Sequence, residues 1–251
     1  MSLKRALVRE PGDNYRGCIS SHPLRHMIDL GLAREQHRNY CRVLVELGLE
    51  VFHLPRDDIH PDSCFVEDNA VIHGGKALIC RMARESRRGE EEAVEEFLRG
   101  YLRVRRAAPP ATVEGGDVIH LRDRLISGVT ERTNMEGVAQ MRDWLEVPVE
   151  TILDPEIVHL KSYVTYLGDG VMVATRRYAH HPALEGFRVL VVPDEEAYAA
   201  NTLTIGETVL MPDGYPRSHE LVREAGFEVI PLPMTEFEKC EGALTCLSLI
   251  F

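Results

Sequence analysis

The chain has 251 residues, of which 44% are hydrophobic and 27% are charged, and its formal net charge at pH 7 is −11. This length accommodates a sizeable hydrophobic core, and the composition is ordinary for a globular protein. The excess of acidic groups disfavours a nucleic-acid partner, because phosphates would be repelled. No apolar run in the sequence is long enough to span a bilayer, so a membrane partner is also not expected.

The N-terminus lacks the apolar core of a signal peptide and leads directly into a strand-like run, Ala6-Leu7-Val8. None of the six cysteines forms a C-x-x-C pair. Three of them, Cys41, Cys64 and Cys80, lie in apolar sequence, where cysteine behaves as a small hydrophobe. We therefore expect reduced cysteines rather than a disulfide framework, and a cytoplasmic location.

Four amphipathic helices are predicted along the chain. The first ends at Gly48, a typical C-cap, and the second is indicated by the apolar face of residues 93–101. The third covers residues 134–145. The fourth covers about 216–225, with proline in its first turn and glycine after its end. The segment 175–187 is too short and too broken for a full helix.

A weak internal repeat organises the predicted strands. Each copy begins with a polar residue and continues as two short strands joined by a tight turn, several of them Gly-Gly or Asp-Gly. Copies start at Asp68, Asp117, Ser162 and Asn201, separated by 49, 45 and 39 residues, and a further step of 45 residues reaches Cys246. If the copies surround an axis, these polar groups converge at one end of the strands.

Four segments near these starts carry side chains suited to catalysis or ligand binding. They are Phe65-Val66-Glu67-Asp68, Glu114-Gly115-Gly116-Asp117, His159-Leu160-Lys161-Ser162 and Leu244-Thr245-Cys246-Leu247-Ser248-Leu249. Two adjacent acids that open an apolar strand are costly to bury without a positive partner, and a planar guanidinium is such a partner. Taken singly, Cys246 is typical of a core residue and His159 of a half-buried histidine.

In this order, the four segments resemble the guanidine-modifying enzymes with the pentein fold. They are most similar to the dimethylarginine dimethylaminohydrolase family, which is related to arginine deiminase. The resemblance extends over essentially the whole chain, and the helical insertion of the classical deiminases is missing. It implies an α/β propeller of five ββαβ units around a pseudo-fivefold axis, which agrees with the repeat. We expect one catalytic domain over residues 1–251.

The resemblance also implies roles for individual residues. Cys246 would be the nucleophile, His159 the general acid and base, and Glu114 the group that orients His159. The loop around Arg16-Gly17-Cys18-Ile19 corresponds to a mobile lid. The residues implied to bind the substrate are Ile19, Asp62, Phe65, Glu67, Asp68, Arg87, Arg132, Cys240 and Glu241. Among these, the acids 62, 67 and 68 would hold the guanidinium and the two arginines the carboxylate, with Arg88 as an alternative to Arg87.

The implied reaction cleaves a guanidinium C–N bond of a methylated arginine, giving citrulline and an amine through a covalent thiouronium intermediate. A bound guanidinium and a protonated His159 would supply the positive charge that lowers the pKa of the Cys246 thiol. The resemblance implies a small guanidino substrate and neither a cofactor nor a metal. It leaves a homodimer open.

Two departures from the family leave the substrate open: Glu241 stands where aspartate is common, and Asn69 where threonine is usual. Free arginine, converted to citrulline and ammonia, is the second candidate, and a dihydrolase that forms ornithine is the third. An amidinotransferase shares the covalent intermediate but is disfavoured by the short chain. The non-enzyme alternative is a ribosome-binding protein of the same fold, which would have no reason to keep Cys246, His159 and Glu114 together.

Overall fold

The computed structural model describes residues 4–251 and arranges short strands in five sheets of three. The strands are β1 (Arg5–Val8), β2 (Glu50–His53), β3 (Ala70–His73), β4 (Lys76–Ile79), β5 (Arg103–Arg106), β6 (Val118–His120), β7 (Leu125–Val129), β8 (Val149–Leu153), β9 (Val164–Gly168), β10 (Val171–Ala174), β11 (Arg188–Val191), β12 (Leu203–Ile205), β13 (Thr208–Pro212), β14 (Glu228–Leu232) and β15 (Ser248–Ile250).

Four sheets follow one another along the chain with the same topology, as the repeat predicts. In each, the first two strands form an antiparallel hairpin and the third pairs in parallel with the middle strand. The fifth sheet joins the two ends of the chain, because β15 pairs antiparallel with β1 and β1 pairs in parallel with β2. The predicted five-bladed pentein fold is confirmed, with β15 as the first hairpin strand of the blade that closes the ring.

The hairpin turns have the backbone that their sequences predict. Gly74 and Gly75 have φ values of +56° and +76°, and Asp169 and Gly170 have +50° and +74°. Positive φ at both central positions is the signature of the two-residue turns that match the twist of a hairpin. These short turns leave the blades compact at the end of the strands away from the polar starts.

Four predicted helices are present, and a short fifth was not predicted. They are α1 (Leu30–Glu46), α2 (Glu91–Leu98), α3 (Met135–Leu145), α4 (Pro216–Glu224) and α5 (Thr235–Glu238). The second helix ends earlier than predicted, and the ring of Tyr101 packs on Phe52 and Phe97 from outside it. Between 175 and 187 the structure forms only a short 3-10 turn, at 182–184. None of the helices in residues 4–251 is long and apolar enough to cross a membrane.

Apolar side chains pack between neighbouring blades, and polar residues lie at the centre of the ring. On α3, for example, Val138, Met141 and Leu145 pack in one cluster with Leu78 of β4 and Leu125 of β7. Just before each hairpin the chain makes a short 3-10 turn, and neighbouring turns contact one another around the axis. These turns cover residues 66–69, 115–117, 160–162, 194–200 and 245–247. The polar starts of the repeats therefore meet, as the sequence predicts.

Candidate active site

The ring of turns opens into a cavity of about 750 Å³. Two of the twelve predicted site residues do not line it: Glu114 is fully buried, and Glu67 lines a different cavity. The ten that do line it are Ile19, Asp62, Phe65, Asp68, Arg87, Arg132, His159, Cys240, Glu241 and Cys246. Residues that are distant in sequence thus share one concave site.

His159 is held by two carboxylates. Its Nε2 atom lies 2.8 Å from Glu114 Oε2 and 3.7 Å from Asp68 Oδ1. Burial lowers the pKa of His159, but the charge of Asp68 and the hydrogen bond that the imidazole donates to Glu114 outweigh this effect and raise the pKa to about 9. At neutral pH the imidazole is therefore protonated and can donate a proton into the cavity.

Asp68 is a buried acid of the cavity wall whose carboxylate lies between His159 and Arg87. It accepts hydrogen bonds from Arg87 Nη1 at 2.8 Å and from the Gly116 amide at 2.9 Å. Burial raises the pKa of Asp68, but the positive charges of His159 and Arg87 oppose it and bring the pKa down to about 2. The carboxylate is therefore ionised throughout the neutral range.

The glycine pair allows the central turns to approach each other closely. A Cβ atom on Gly115 would lie 2.0 Å from the backbone oxygen of Glu67. A Cβ on Gly116 would lie 2.7 Å from Asp68 Oδ1 and 2.8 Å from Cγ of His159. Gly115 therefore makes room for the backbone of the neighbouring turn, and Gly116 for the side chains of Asp68 and His159.

We expect Gly116→Ala to lower turnover at least about tenfold, because the added methyl would push Asp68 and His159 apart by distances that matter for catalysis. Steady-state rates and a thermal unfolding curve would measure this. Gly100→Ala is a matched control, since the nearest atom to its Cβ would be the Phe97 oxygen at 3.4 Å. Equal rates for wild type and Gly116→Ala would show that the close approach is unimportant.

Asp117 fastens the segment that carries His159. It is fully buried and accepts hydrogen bonds from the Leu160 amide at 2.9 Å, Thr133 Oγ1 at 2.6 Å and Thr130 Oγ1 at 2.9 Å. Burial raises the pKa of Asp117 to about 6, against the opposing charge of His159. The two threonines were not identified from the sequence, where only the adjacent arginine was noted.

Cys246 is buried, with 9% of its surface exposed, and its sulfur accepts a hydrogen bond from the Ala243 amide at 3.4 Å. Burial and the negative charges of Glu67 and Asp68 raise the pKa of the thiol to about 12. Without a bound cation, the sulfur is therefore protonated at neutral pH.

Asn201 braces the turn that carries the nucleophile. Its Nδ2 donates to Thr245 Oγ1 at 3.1 Å, and its Oδ1 accepts from the Thr245 amide at 3.1 Å. The sequence marked Asn201 only as the start of a repeat. Its position in the repeat could nevertheless have indicated that Asn201 lies near the site, because equivalent starts meet at the axis.

The two arginines of the cavity differ in how their charge is paired. Arg87 donates through Nε and Nη2 to the buried carboxylate of Glu90 and through Nη1 to Asp68. Nε and Nη1 of Arg132 are buried without a hydrogen-bond partner, and the nearest carboxylate oxygens are 3.8 Å and 4.0 Å away. Two donors of Arg132 thus lack a partner in a residue that lines the cavity. Arg87 lines the cavity and its alternative Arg88 does not.

The departures from the family pattern lie in different environments. Glu241 lines the cavity, and its two oxygens accept hydrogen bonds from the amide and hydroxyl of Ser21, at 3.0 Å and 2.6 Å. Asn69 is fully buried, donates towards the backbone oxygens of Phe65 and Val66, and does not line the cavity. Only Glu241 is therefore placed to influence the choice of ligand.

Glu67 faces away from the cavity that holds Cys246. Its carboxylate pairs with Lys161, and both residues line a second cavity of about 780 Å³ that is also bordered by the hairpin turns at Gly74 and Gly168. Burial raises the pKa of Glu67 to about 7, although Lys161 opposes the shift. The ion pair joins two of the central 3-10 turns, those of residues 66–69 and 160–162.

The expectation that all cysteines are reduced is wrong for two of them. Cys18 and Cys240 form a disulfide across a sequence separation of 222 residues. The remaining cysteines are free and buried, as expected for Cys41, Cys64 and Cys80. No spacing rule relates Cys18 to Cys240, since they meet only because the ring closes and brings the N-terminal loop against the C-terminal segment.

In residues 4–251, one set of three side chains has ligand atoms close enough to hold a metal ion: Asp68, Glu114 and His159, within 4.8 Å of one another. Arg87 already supplies positive charge there, because its Nη1 lies 2.8 Å from Asp68 and 3.6 Å from Glu114. Two of the three ligands thus already have a cationic partner.

Fold, site and relatives together place the chain among the hydrolases of the guanidine-modifying class. A family model described as N,N dimethylarginine dimethylhydrolase, eukaryotic, matches residues 21–176. The chain is 35% identical to the N(G),N(G)-dimethylarginine dimethylaminohydrolase of Pseudomonas aeruginosa over 99% of this chain and all of that protein. It is 38% identical to the enzyme of that name from Streptomyces coelicolor, over 99% and 97% of the two chains. The chain belongs to the dimethylarginine dimethylaminohydrolase family.

Solved structures give the same result. A mutant of the Pseudomonas aeruginosa enzyme complexed with citrulline superposes with a TM-score of 0.96 over the full length of both chains, at 35% identity. The N-terminal domain of ArgZ, an arginine dihydrolase from cyanobacteria, superposes with a TM-score of 0.90 over 99% of this chain and 97% of that domain. At 22% identity, the second similarity concerns the fold alone.

Proposed function

We propose that the protein hydrolyses an Nω-methylated arginine to citrulline and a methylated amine. The proposal rests on one observation: Cys246, protonated His159 and ionised Asp68 line the same cavity as Arg132, whose donors are unfilled. A methylarginine carries a cation at one end and a carboxylate at the other, which matches this distribution of charge. The names of the full-length relatives support the choice of a methylated substrate.

Substrate binding would activate the nucleophile. A guanidinium beside Asp68 and Asp62 brings a positive charge next to the Cys246 sulfur, which lowers the pKa of the thiol and releases its proton to solvent. The resulting thiolate attacks the central guanidinium carbon. The carboxylates keep positive charge on the flanking nitrogens during this step.

His159 would act in both halves of the reaction. Its imidazolium donates a proton to the departing amine as the C–N bond breaks, leaving a thiouronium bound to Cys246. The neutral imidazole then takes a proton from water, whose oxygen attacks the same carbon. The C–S bond breaks, and citrulline and the thiol are released. Glu114 is the positioning residue that fixes the orientation of the imidazole.

Product identification tests the proposal. The protein is incubated separately with arginine, monomethylarginine and asymmetric dimethylarginine, and citrulline, ornithine, ammonia and each methylated amine are quantified. We expect citrulline with methylamine or dimethylamine, and the highest kcat/KM for a methylated substrate. A higher kcat/KM for arginine would assign the protein as a deiminase, or as a dihydrolase if ornithine forms, and the absence of turnover would favour a non-catalytic role.

Arg132→Gln is expected to raise KM about tenfold or more with a smaller change in kcat, because the lost contact is made equally in the ground state and the transition state. The decisive comparison uses the decarboxylated analogue of the substrate, which lacks the carboxylate. Wild type should discriminate against this analogue, and Arg132→Gln should not. If the variant kept the full discrimination, another residue would bind the carboxylate; Arg217→Gln, an exposed change outside the cavity, is the control.

Alkylation of Cys246 should report its raised pKa. With the thiol pKa near 12, the rate with neutral iodoacetamide should rise about tenfold per pH unit between pH 7 and 10 without a plateau, since the thiolate is the reactive form. A cationic haloamidine should react much faster at pH 7, because its charge stabilises the thiolate. Peptide mapping would assign the modified residue. A plateau near pH 8 in the unliganded protein would contradict the protonated state.

Two further predictions belong to this proposal. Residues 1–251 would act as one catalytic domain, and the location would be cytoplasmic. Size measurement in solution would distinguish a monomer from a homodimer. A cytoplasmic location is tested by cell fractionation, since the Cys18–Cys240 bond removes the argument from reduced cysteines.

A further inference from the structure

A disulfide fastens one wall of the active-site cavity. We use the term cover loop for residues 15–28, which border the cavity through residues 19–22. Cys18 of the cover loop is bonded to Cys240, and the two residues are 0% and 3% exposed. Cys240 itself lines the cavity, and its segment continues directly to the nucleophile Cys246.

Hydrogen bonds from the cover loop reach residues of the site. The Ile19 amide donates to both carboxylate oxygens of Asp62 at 3.2 Å. The amide and hydroxyl of Ser21 donate to the carboxylate of Glu241. The position of the loop therefore determines where one acid of the proposed guanidinium site points, and how much of its charge is neutralised by a backbone N–H.

Apolar burial holds the two ends of the cover loop, where Tyr15 and Ile28 are 0% and 3% exposed, but not the stretch between residues 19 and 27. Every residue from 19 to 27 is exposed or half-buried, and the side chains of Leu24 and Met27 are 46% and 59% exposed. The hydrogen bonds from Ser21 to Glu241 are exposed, so water competes for them, whereas Asp62, which accepts from Ile19, is buried. The covalent bond at Cys18 is thus the firmest attachment of the stretch that borders the cavity.

We propose that the Cys18–Cys240 disulfide positions the cover loop for substrate binding, so that its reduction by a dithiol weakens binding. In this step the S–S bond breaks and two S–H bonds form. The dithiol supplies two electrons and two protons and becomes a disulfide itself. The released loop samples more conformations, and part of the binding free energy is then used to order it and to return Ile19 to Asp62. The inference rests on the proposed function only for the identity of the substrate.

The wild-type protein in its two redox states provides the test. Mass spectrometry of unreduced peptides should show residues 18 and 240 linked, and dithiothreitol should separate them. In the reduced protein we expect KM for asymmetric dimethylarginine to rise about tenfold with a smaller change in kcat, since the loss falls on binding. Trypsin should also cleave faster after Arg25. Unlinked peptides in the untreated protein, or equal KM and cleavage rates in both states, would overturn the proposal.

Variants separate the disulfide from other effects of the reductant. Cys18→Val with Cys240→Val keeps apolar volume without the bond, so it should have the KM of the reduced protein and no response to dithiothreitol. Cys41→Ala keeps the bond and should behave as wild type. A response of the double variant to dithiothreitol would contradict the assignment. The cleavage test needs no substrate. It therefore tests whether the disulfide holds the cover loop in place, even if product identification rejects methylated arginines.

Discussion

Replacement of Cys246 by serine is expected to reduce kcat by about a thousandfold or more, because the hydroxyl is a far weaker nucleophile than the thiolate and the covalent route is lost. The fold should be unaffected. Serine is close in size to cysteine, and the Ala243 amide that contacts the sulfur can donate to a hydroxyl in the same place. Stopped assays of citrulline release would measure the loss.

Two controls define what that loss means. Cys41→Ala changes a buried free cysteine on α1, outside the cavity, and should leave kcat within about twofold of wild type, as expected of a site remote from the chemistry. Calorimetry with citrulline should show that Cys246→Ser still binds the product. If the serine variant turned over substrate at a rate near that of wild type, the covalent mechanism would be wrong.

Asp68→Asn is expected to weaken binding of guanidinium ligands about a hundredfold, in the range measured when one member of a buried charge pair is neutralised. The amide keeps the shape of the side chain but removes the charge that faces His159 and Arg87. Calorimetry with arginine as ligand measures the effect. Affinity equal to that of wild type would remove Asp68 from the binding site.

The same substitution should shift the pH profile in a defined direction. Asp68 makes the largest favourable contribution to the raised pKa of His159, so its neutralisation should lower that pKa from about 9. The imidazolium is then lost at lower pH, and the alkaline limb of kcat should move to lower pH. Glu95→Gln is the matched control, because Glu95 is also buried and paired with arginines, but lies on α2 outside the cavity. Its profile should match that of wild type.

Much of the fold could be predicted from short-range sequence patterns. Glycine-containing turns, alternating apolar strands and helix ends act over a few residues, which is why the hairpins and α3 were predicted well. In the structure Asn134, the first residue of the predicted helix, is the N-cap of α3. The single turn of α5 was missed because four residues show no periodicity. The closing blade pairs β15 with β1, and only the recurrence of the repeat at Cys246 indicated it.

The site was harder to predict where the direction of a side chain decides its role. Glu67 and Asp68 are neighbours on a 3-10 turn, where successive side chains point about 120° apart, so they face different cavities. The sequence also could not show that Arg87 is paired by Glu90 while Arg132 keeps free donors. Such pairings depend on which segments the ring brings together, and so does the Cys18–Cys240 bond.

Trapping the covalent intermediate tests the central claim most directly. The protein is mixed with asymmetric dimethylarginine, quenched with acid during turnover and digested, and the peptides are analysed by mass spectrometry. We predict an adduct with the mass of a thiouronium on the peptide that contains Cys246, appearing and decaying with turnover. Steady turnover with an unmodified Cys246 at every quench time, or an adduct on another residue, would contradict attack by this sulfur.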